Sequence, residues 1–337
     1  MNQMEIARKL KISQTTVSLV LNNPSTIKVS REKRQKIMDM MRDTSYLLKA
    51  SRGKTWNIGY ILGSDMNVEN NFYNRFFLGI QKSSMEAGYH VIVDNENICN
   101  SRLITNRKVD GIILADKLST DVFKDLAREI PLILLNYSPL ETLCDTVVPD
   151  NQGGIIKAFN HLIELGHCRI AFLGILPPGG KIDGLLRDRK NIFENESKLR
   201  GLPINQDFIQ TPTIKIASAD ETETLISETL AFWMNLPEFP TAAICSNDLY
   251  AAMLLRAAAE KHVKVPGDLS VIGIDNTDKC ECTYPALTSI DHNAMEMGSL
   301  AVELFLKRIS NPARFHVKTS CDSALVIRKS TGPLKTK

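Results

Sequence analysis

MEIARKLKISQTTVSLVLNNP, residues 4–24, decides how this chain is read. Ile6, Ala7 and Leu10 recur at helical spacing, and after a break at Lys11 to Ser13 a second run places Val17, Val20 and Leu21 on one face. Asn2 with Glu5 three residues later has capping-box spacing, and Ser13 before QTTV fits the N-cap of the second helix. A third run, with Ile37, Met40 and Met41 on one face, completes three short helices that can share one core. Two helices joined by so short a break read as a helix-turn-helix, whose second helix enters the major groove and offers its early residues to base edges. Ser13, Gln14, Thr15, Thr16, Ser18, Leu19 and Asn22 are the candidate DNA contacts, with Gln14, Thr15, Ser18, Leu19 and Asn22 facing outward.

The charge distribution agrees. Residues 1–54 carry 12 Lys and Arg against 4 Asp and Glu, while the rest of the chain carries 29 against 34. A strongly basic head thus precedes a mildly acidic body, the pattern of a phosphate-binding module on an ordinary domain. A solvated basic tail would not interleave its charges with periodic apolar residues. The chain has 337 residues, 43% hydrophobic and 23% charged, enough apolar content for a sizeable core and too much for disorder as the main state. Apolar runs such as Gly111 to Ala115 fall far short of a bilayer span, and the opening MNQMEIARKLKIS lacks the apolar core of a secretory signal. A cytoplasmic protein is expected, and the odd count of 7 cysteines fits reduced thiols better than a disulfide framework.

Beyond the head, short apolar runs alternate with amphipathic stretches. Strands are expected at Ile58 to Leu62, His90 to Val93, Gly111 to Leu114, Leu132 to Leu135, Ile170 to Leu173, Ala242 to Cys245 and Ser270 to Ile274. Helices are expected at Phe76 to Ala87, Ile155 to Leu165, Thr222 to Trp233 and Leu249 to His262. Alternation of this kind implies an α/β class with doubly wound parallel sheets, and the length after residue 57 suits two of them. Open α/β sheets bind ligands at the carboxyl ends of their strands, so two facing sheets suggest a ligand in a cleft. Asp65, Asn71, Phe72, Tyr73, Asp150, Asn151, Asn247, Asp248 and Asp275 occupy such strand-end positions. Carboxylates, amides and aromatic rings suit a small polyhydroxylated or heterocyclic ligand.

QTTVSLVLNNPSTIKVSREKRQKI from Gln14, IGYI from Ile58, NFY from Asn71, VDGIIL from Val109, PDNQGG from Pro149, LIELGHCRIAFLG from Leu162, SND from Ser246, VPGDLSVIGID from Val265 and PALTSI from Pro285 together resemble the LacI/GalR family of bacterial transcription regulators. The resemblance runs in unbroken order over nearly the whole length. It implies a three-helix DNA-binding head at 1–45, a hinge or linker at 46–56, and a periplasmic-binding-protein-like effector and dimerisation body at 57–337. Within that body one lobe would comprise about 57–150 and 286–315, the other about 151–285 and 316–332. It also implies a double-stranded operator, a homodimer or higher homo-oligomer, and a small-molecule effector, a carbohydrate or related polar metabolite. By the same resemblance Arg189, twelve residues before Gly201, Asn247 and Asp275 join Asn71, Phe72 and Tyr73 as effector contacts.

The sequence departs from the family pattern in four places, one of which is that RDRKNIFENESKLRGL, from Arg187, lacks the small residues usual after the arginine. Leu19 stands where TVSRVLN would put an arginine, which exchanges a guanine-reading donor for a side chain that can pack on a thymine methyl. Lys11 takes the turn position often held by glycine. The connector from Tyr46 to Ile58 is about five residues short of the family pattern, leaving little room for a hinge helix around Leu47 and Leu48.

No GxGxxG, Walker loop, HExxH or GxSxG motif is present, so no enzyme activity and no cofactor is expected. The six histidines show no metal-ligand spacing, and Cys280 with Cys282 lacks the second pair a zinc site needs, so no metal is expected either. His167, just before a strand, suits a structural turn role. The alternative function is a sugar-binding transport component, which shares the two-lobe body but has neither a basic helix-turn-helix nor a cytoplasmic start.

Overall fold

The computed structural model describes residues 3–22, 30, 36–37, 54–62, 71–94, 101–106, 108–115, 120–137, 143–178, 184–203, 205–215 and 218–335. In the head, α1 (Gln3–Leu10) and α2 (Gln14–Asn22) bury Ile6, Ala7, Val17 and Val20 together with Ile37, and Leu10 and Ile12 pack against them. This is the face that the apolar periodicity marks. The Ser13 hydroxyl accepts from the Thr16 amide at 3.0 Å, the side-chain cap that supplies a partner for one of the helix's unpaired donors. Lys11 turns the chain between the helices with φ 53°. Asn2, Met40, Met41 and the connector at 46–53 lie outside the described residues, as does the buried or exposed state of Ser18, Leu19, Leu21 and Asn22.

The chain separates into two units, Met1–Asn67 with Phe77–Val148 and Gly298–Thr319, and Val68–Phe76 with Pro149–Met297 and Ser320–Lys337. In the first unit β1 (Asn57–Leu62), β2 (His90–Asp94), β3 (Gly111–Ala115), β4 (Leu132–Leu135), β5 (Asp145–Pro149) and β11 (Lys318–Cys321) form a sheet in the order β11-β5-β4-β3-β1-β2. β1 pairs in parallel with both β2 and β3, as β4 does with β3 and β5. Strands GIILA and LILL are buried throughout, as central parallel strands covered on both faces must be. The helical segments are α3 (Asn71–Glu86), whose first residues through Phe76 group with the second unit, α4 (Arg102–Thr105), α5 (Thr120–Glu129) and most of α11 (Ala294–Ser310).

In the second unit β6 (Ile170–Leu173), β7 (Ile209–Gln210), β8 (Ala242–Cys245), β9 (Ser270–Ile274), β10 (Thr288–Asp291) and β12 (Ala324–Val326) follow the order β12-β10-β9-β8-β6-β7, with only β12 antiparallel to its neighbour. Alternate residues of each strand feed two separate cores. Ala171, Leu173, Ala243, Cys245 and Val271 join α8 (Ala219–Met234) and α9 (Asp248–Glu260) through Trp233, Leu230 and Leu254. Ile170, Phe172, Ala242, Ile244 and Ile272 join α6 (Asn151–Glu164) and α7 (Gly184–Leu199) through Phe159, Leu186 and Phe193. Helices on both faces of a parallel sheet are the doubly wound arrangement expected from the alternation of apolar runs.

All seven expected strands form. The segment boundaries differ from the expected lobes: β10 lies within 286–315 yet pairs with β9, and β11 lies within 316–332 yet joins the first sheet. The reason is register. TSID is a buried run that extends β9's parallel ladder, whereas the chain returns to the first sheet only with α11 and β11. Among the described residues no helix is long and apolar enough to cross a membrane.

Candidate functional site

The second sheet concentrates its polar side chains at the carboxyl ends of its strands. α7 delivers Arg189 there from its first turns, and its approach is close: a Cβ on Gly174, just after β6, would sit 2.4 Å from Leu186 Cδ1. Arg189 is only 6% exposed. Its Nε donates to Asn151 Oδ1 (3.1 Å), Nη1 to the carbonyl of Ser246, and Nη2 to Asp275 Oδ1 (3.3 Å) and to His292 Nε2 (3.2 Å). A buried guanidinium is tolerated only when its donors are met, and here the residues following β8, β9 and β10 and the first residue of α6 meet them.

The loop after β9 turns sharply. Asp275 has φ 105° and Asn276 φ 46°, two successive residues in conformations that L-residues rarely adopt, and such strain accumulates at ligand sites. The Asp275 amide donates to the Ile290 carbonyl at 2.8 Å, and the Asn276 amide to Ser289 Oγ at 3.1 Å. Asp248 locks the same turn from below: its Oδ2 accepts from the Thr277 amide (2.6 Å) and hydroxyl (2.9 Å), and its Oδ1 from Ser289. Burial raises the Asp248 pKa against these donors.

Burial pushes the Asp275 carboxyl up to about 7; the adjacent Arg189 opposes the shift and Asp248 adds to it. His292 is driven the other way, well below its ordinary value, by burial and then by the Arg189 charge. The imidazole is therefore neutral. Since its Nε2 accepts from Arg189, the proton resides on Nδ1, which donates to Ser323 Oγ at 2.7 Å. A fixed cation, a carboxylate poised between donor and acceptor states, and amides around them can hydrogen-bond a small polar molecule from several directions.

Other expected residues have different surroundings. The Asn247 Oδ1 caps α9 by accepting from the Tyr250 amide (2.8 Å), and the Asp150 Oδ1 caps α6 by accepting from Gly153 (2.9 Å). Asn71, Phe72 and Tyr73 begin α3; Phe72 is buried, its ring edge-on to Phe76 at 4.7 Å and to Tyr73 at 5.7 Å. Asp65 lies outside the described residues. His167 has the turn role expected of it, bonded to Thr241 Oγ1 and the Gly332 carbonyl, each at 3.0 Å. Cys280 is buried and Cys282 exposed. Sequence reasoning passed over His292; its position one residue beyond the run TSID was the available signal, equivalent to Asp275 after SVIGI.

In the head, Gln14 and Thr15 are exposed, while the hydroxyls of Ser13 and Thr16 bond each other at 2.8 Å. Residues 4–47 match the model of bacterial regulatory proteins of the lacI family, and residues 159–331 that of the periplasmic binding protein-like domain. The chain belongs to the lacI family of bacterial transcription regulators. It is 29% identical to the HTH-type transcriptional regulator DegA of Bacillus subtilis over 98% of each chain. It is 27% identical to the HTH-type transcriptional repressor PurR of Photobacterium profundum, again over 98% of each. A LacI family transcriptional regulator from Enterococcus faecium, solved with bound ribose, superimposes with a TM-score of 0.67 at 28% identity, covering 83% of this chain and 100% of that one. A lacI-family regulator is a DNA-binding protein and not an enzyme, and its α1–α2 pair is the DNA-binding element.

Proposed function

We propose that this regulator is a repressor that binds a pseudo-palindromic operator as a homodimer in the cytoplasm and responds to a sugar or related polar metabolite held at the carboxyl ends of the second sheet. The head spans 1–45, the connector 46–56 and the effector body 57–337. Ser13, Gln14, Thr15, Thr16, Ser18, Leu19 and Asn22 meet the operator, and Arg189 and Asp275, together with Asn71, Phe72, Tyr73 and Asn247, meet the effector. The observation that carries the effector reading is the buried Arg189, ion-paired with Asp275 where three adjacent strands end. The ribose-bound relative favours a carbohydrate over other polar ligands. A single head reads too few base pairs for useful specificity, which favours two-fold symmetry.

The test combines two measurements. Operators are selected from random DNA with the full chain, and binding to the selected site is then followed with a panel of mono- and disaccharides that includes D-ribose. A two-fold-symmetric site, a dimer in solution and a change in affinity with one sugar are expected. Arg189→Ala and Asp275→Ala should abolish the sugar response and keep operator binding. A response in both variants at the wild-type sugar concentration overturns the site.

A further inference from the structure

Three bonds run outward from the Arg189 guanidinium in one line: Arg189 Nη2 to His292 Nε2 (3.2 Å), His292 Nδ1 to Ser323 Oγ (2.7 Å) and Ser323 Oγ to the Asp150 carbonyl (2.9 Å). Each bond of the line runs in one direction, because the neutral imidazole has one N–H and one lone pair, and the serine hydroxyl one proton to pass on. His292 is 1% exposed and Ser323 2%, so water does not substitute for either bond. The far end of the line is particular. Asp150 and Ser323 lie just inside the second unit, next to the places where the chain leaves the first unit, Val148 to Pro149 and Thr319 to Ser320. The two crossing segments are also joined directly, the Asp150 amide donating to the Cys321 carbonyl at 2.9 Å. A Cβ on Gly154 would lie 2.7 Å from Ile290 and 3.2 Å from Ser323 Cβ, so these backbones have no room for an independent shift.

We infer that His292, as the Nδ1–H tautomer, is a positioning residue that sets the orientation of Arg189 and carries any displacement of it to the crossing segment at Ser323, the segment at Asp150 being reached also by the direct Arg189 Nε bond to Asn151. His292 does not itself need to touch a ligand. This goes beyond the effector reading above, although the purpose of the line rests on Arg189 being a ligand contact. A leucine at 292 would leave an Arg189 N–H without its acceptor and the Ser323 oxygen without its donor, whereas glutamine supplies an amide oxygen for the first and an amide N–H for the second.

The experiment needs no ligand, so its outcome is independent of which metabolite, if any, the protein binds. Hydrogen exchange is measured on the full chain for wild type, Arg189→Met, His292→Leu, His292→Gln and the Arg189→Met/His292→Leu double variant. Arg189→Met and His292→Leu should each speed exchange of the amides of 321–325 about tenfold, and there the double variant should be no faster than either single one, since both cut the same line, whereas 150–154 also loses the direct Arg189 bond to Asn151. His292→Gln should restore the wild-type rates. In parallel, long-range nitrogen–proton NMR of the wild-type histidine rings should show one imidazole, absent in His292→Gln, protonated at Nδ1 and bare at Nε2. Multiplying effects at 321–325 in the double variant, unchanged exchange at 321–325 in Arg189→Met, or a proton on Nε2 would each overturn the inference. Beyond the native protein the NMR measurement requires only the conservative His292→Gln variant, so it decides even where Arg189→Met or His292→Leu fails to fold.

Discussion

Arg308 grips Asp145 in two-point fashion, Nε to Oδ2 at 2.9 Å and Nη2 to Oδ1 at 3.0 Å, with the carboxylate wholly buried. The same guanidinium donates to the carbonyls of Pro312, Arg314 and Phe315, and Asp145 Oδ1 also accepts from the Val317 amide at 2.9 Å. One ion pair thus binds the start of β5 to the end of α11 and to the turn that leads into β11. Removing one partner leaves the other's buried charge under-compensated, with only Arg314 at 3.6 Å remaining to Asp145, so Arg308→Ala and Asp145→Ala should each destabilise the protein by about 3 kcal/mol. Urea unfolding checks this; a loss under about 1 kcal/mol would show that the pair is dispensable.

Asp275 and His292 should give stability opposite dependences on pH. The folded pKa of Asp275 lies near 7, above its ordinary 3.8, so between these values the folded state holds more proton than the unfolded state, and stability falls as pH rises through the window. His292 has a folded pKa well below 6.5, so the unfolded state holds more proton below that value and stability falls as pH drops. The contributions oppose each other in wild type. Relative to wild type, Asp275→Asn should therefore shift the stability change on going from about pH 7 to about pH 5 toward loss, and His292→Gln toward gain, because His161, His167, His316 and Asp248 contribute equally to all three proteins. Denaturant midpoints of wild type and both variants at the two pH values decide it, and shifts of equal sign would refute the assignment.

Gly174 marks the closest approach of α7 to the sheet. A valine there must displace Leu186, three residues before Arg189 on the same helix, and overpacking of this kind costs about 1–3 kcal/mol. Gly174→Val should lower the urea midpoint and weaken sugar binding together. Full binding with lowered stability would mean that the first turn of α7 moves without moving Arg189.

Lys11 holds φ 53° between α1 and α2, a conformation that costs a side-chain-bearing residue about 1–2 kcal/mol. Lys11→Gly should slow hydrogen exchange in α2 about fivefold, equivalent to about 1 kcal/mol. Operator affinity should move the other way, with the logarithmic salt slope reduced by about one if Lys11 meets a phosphate. An unchanged slope would place this lysine away from the DNA backbone.

Leu19 offers a test at the base edges. Leu19→Arg should shift the selected half-site from thymine toward guanine, with about 1–3 kcal/mol of discrimination. An identical base profile would put residue 19 outside the groove.

The parts of the molecule that were legible in the sequence share a physical cause. Strands such as SVIGI and GIILA are buried on both faces and read as unbroken apolar runs, and Val17 and Val20 fall at helical spacing because one face of α2 is buried. The missed strands lack that signature. KTSC is a largely exposed edge, IQ spans two residues, and DTVVP opens with the carboxylate that Arg308 neutralises. At the site, Asp275 is legible as a strand-end residue and Arg189 through family resemblance, whereas His292 escapes because a buried neutral histidine leaves no local pattern. Its significance lies in partners 103 and 31 residues distant. Asn247 shows the converse: a strand-end amide is legible, but its Oδ1 serves as a helix cap.

Arg189 meets acceptors 38, 57, 86 and 103 residues away in sequence, and its last support comes from Ser323. During synthesis the arginine emerges long before most of the groups that hold it. A ribosome-bound chain ending before residue 323 has already exposed its complete operator-reading head, yet lacks the finished network around Arg189. Newly made regulator therefore completes its α1–α2 head first and the network around Arg189 last, which on the proposed function puts the metabolite sense at the end of synthesis.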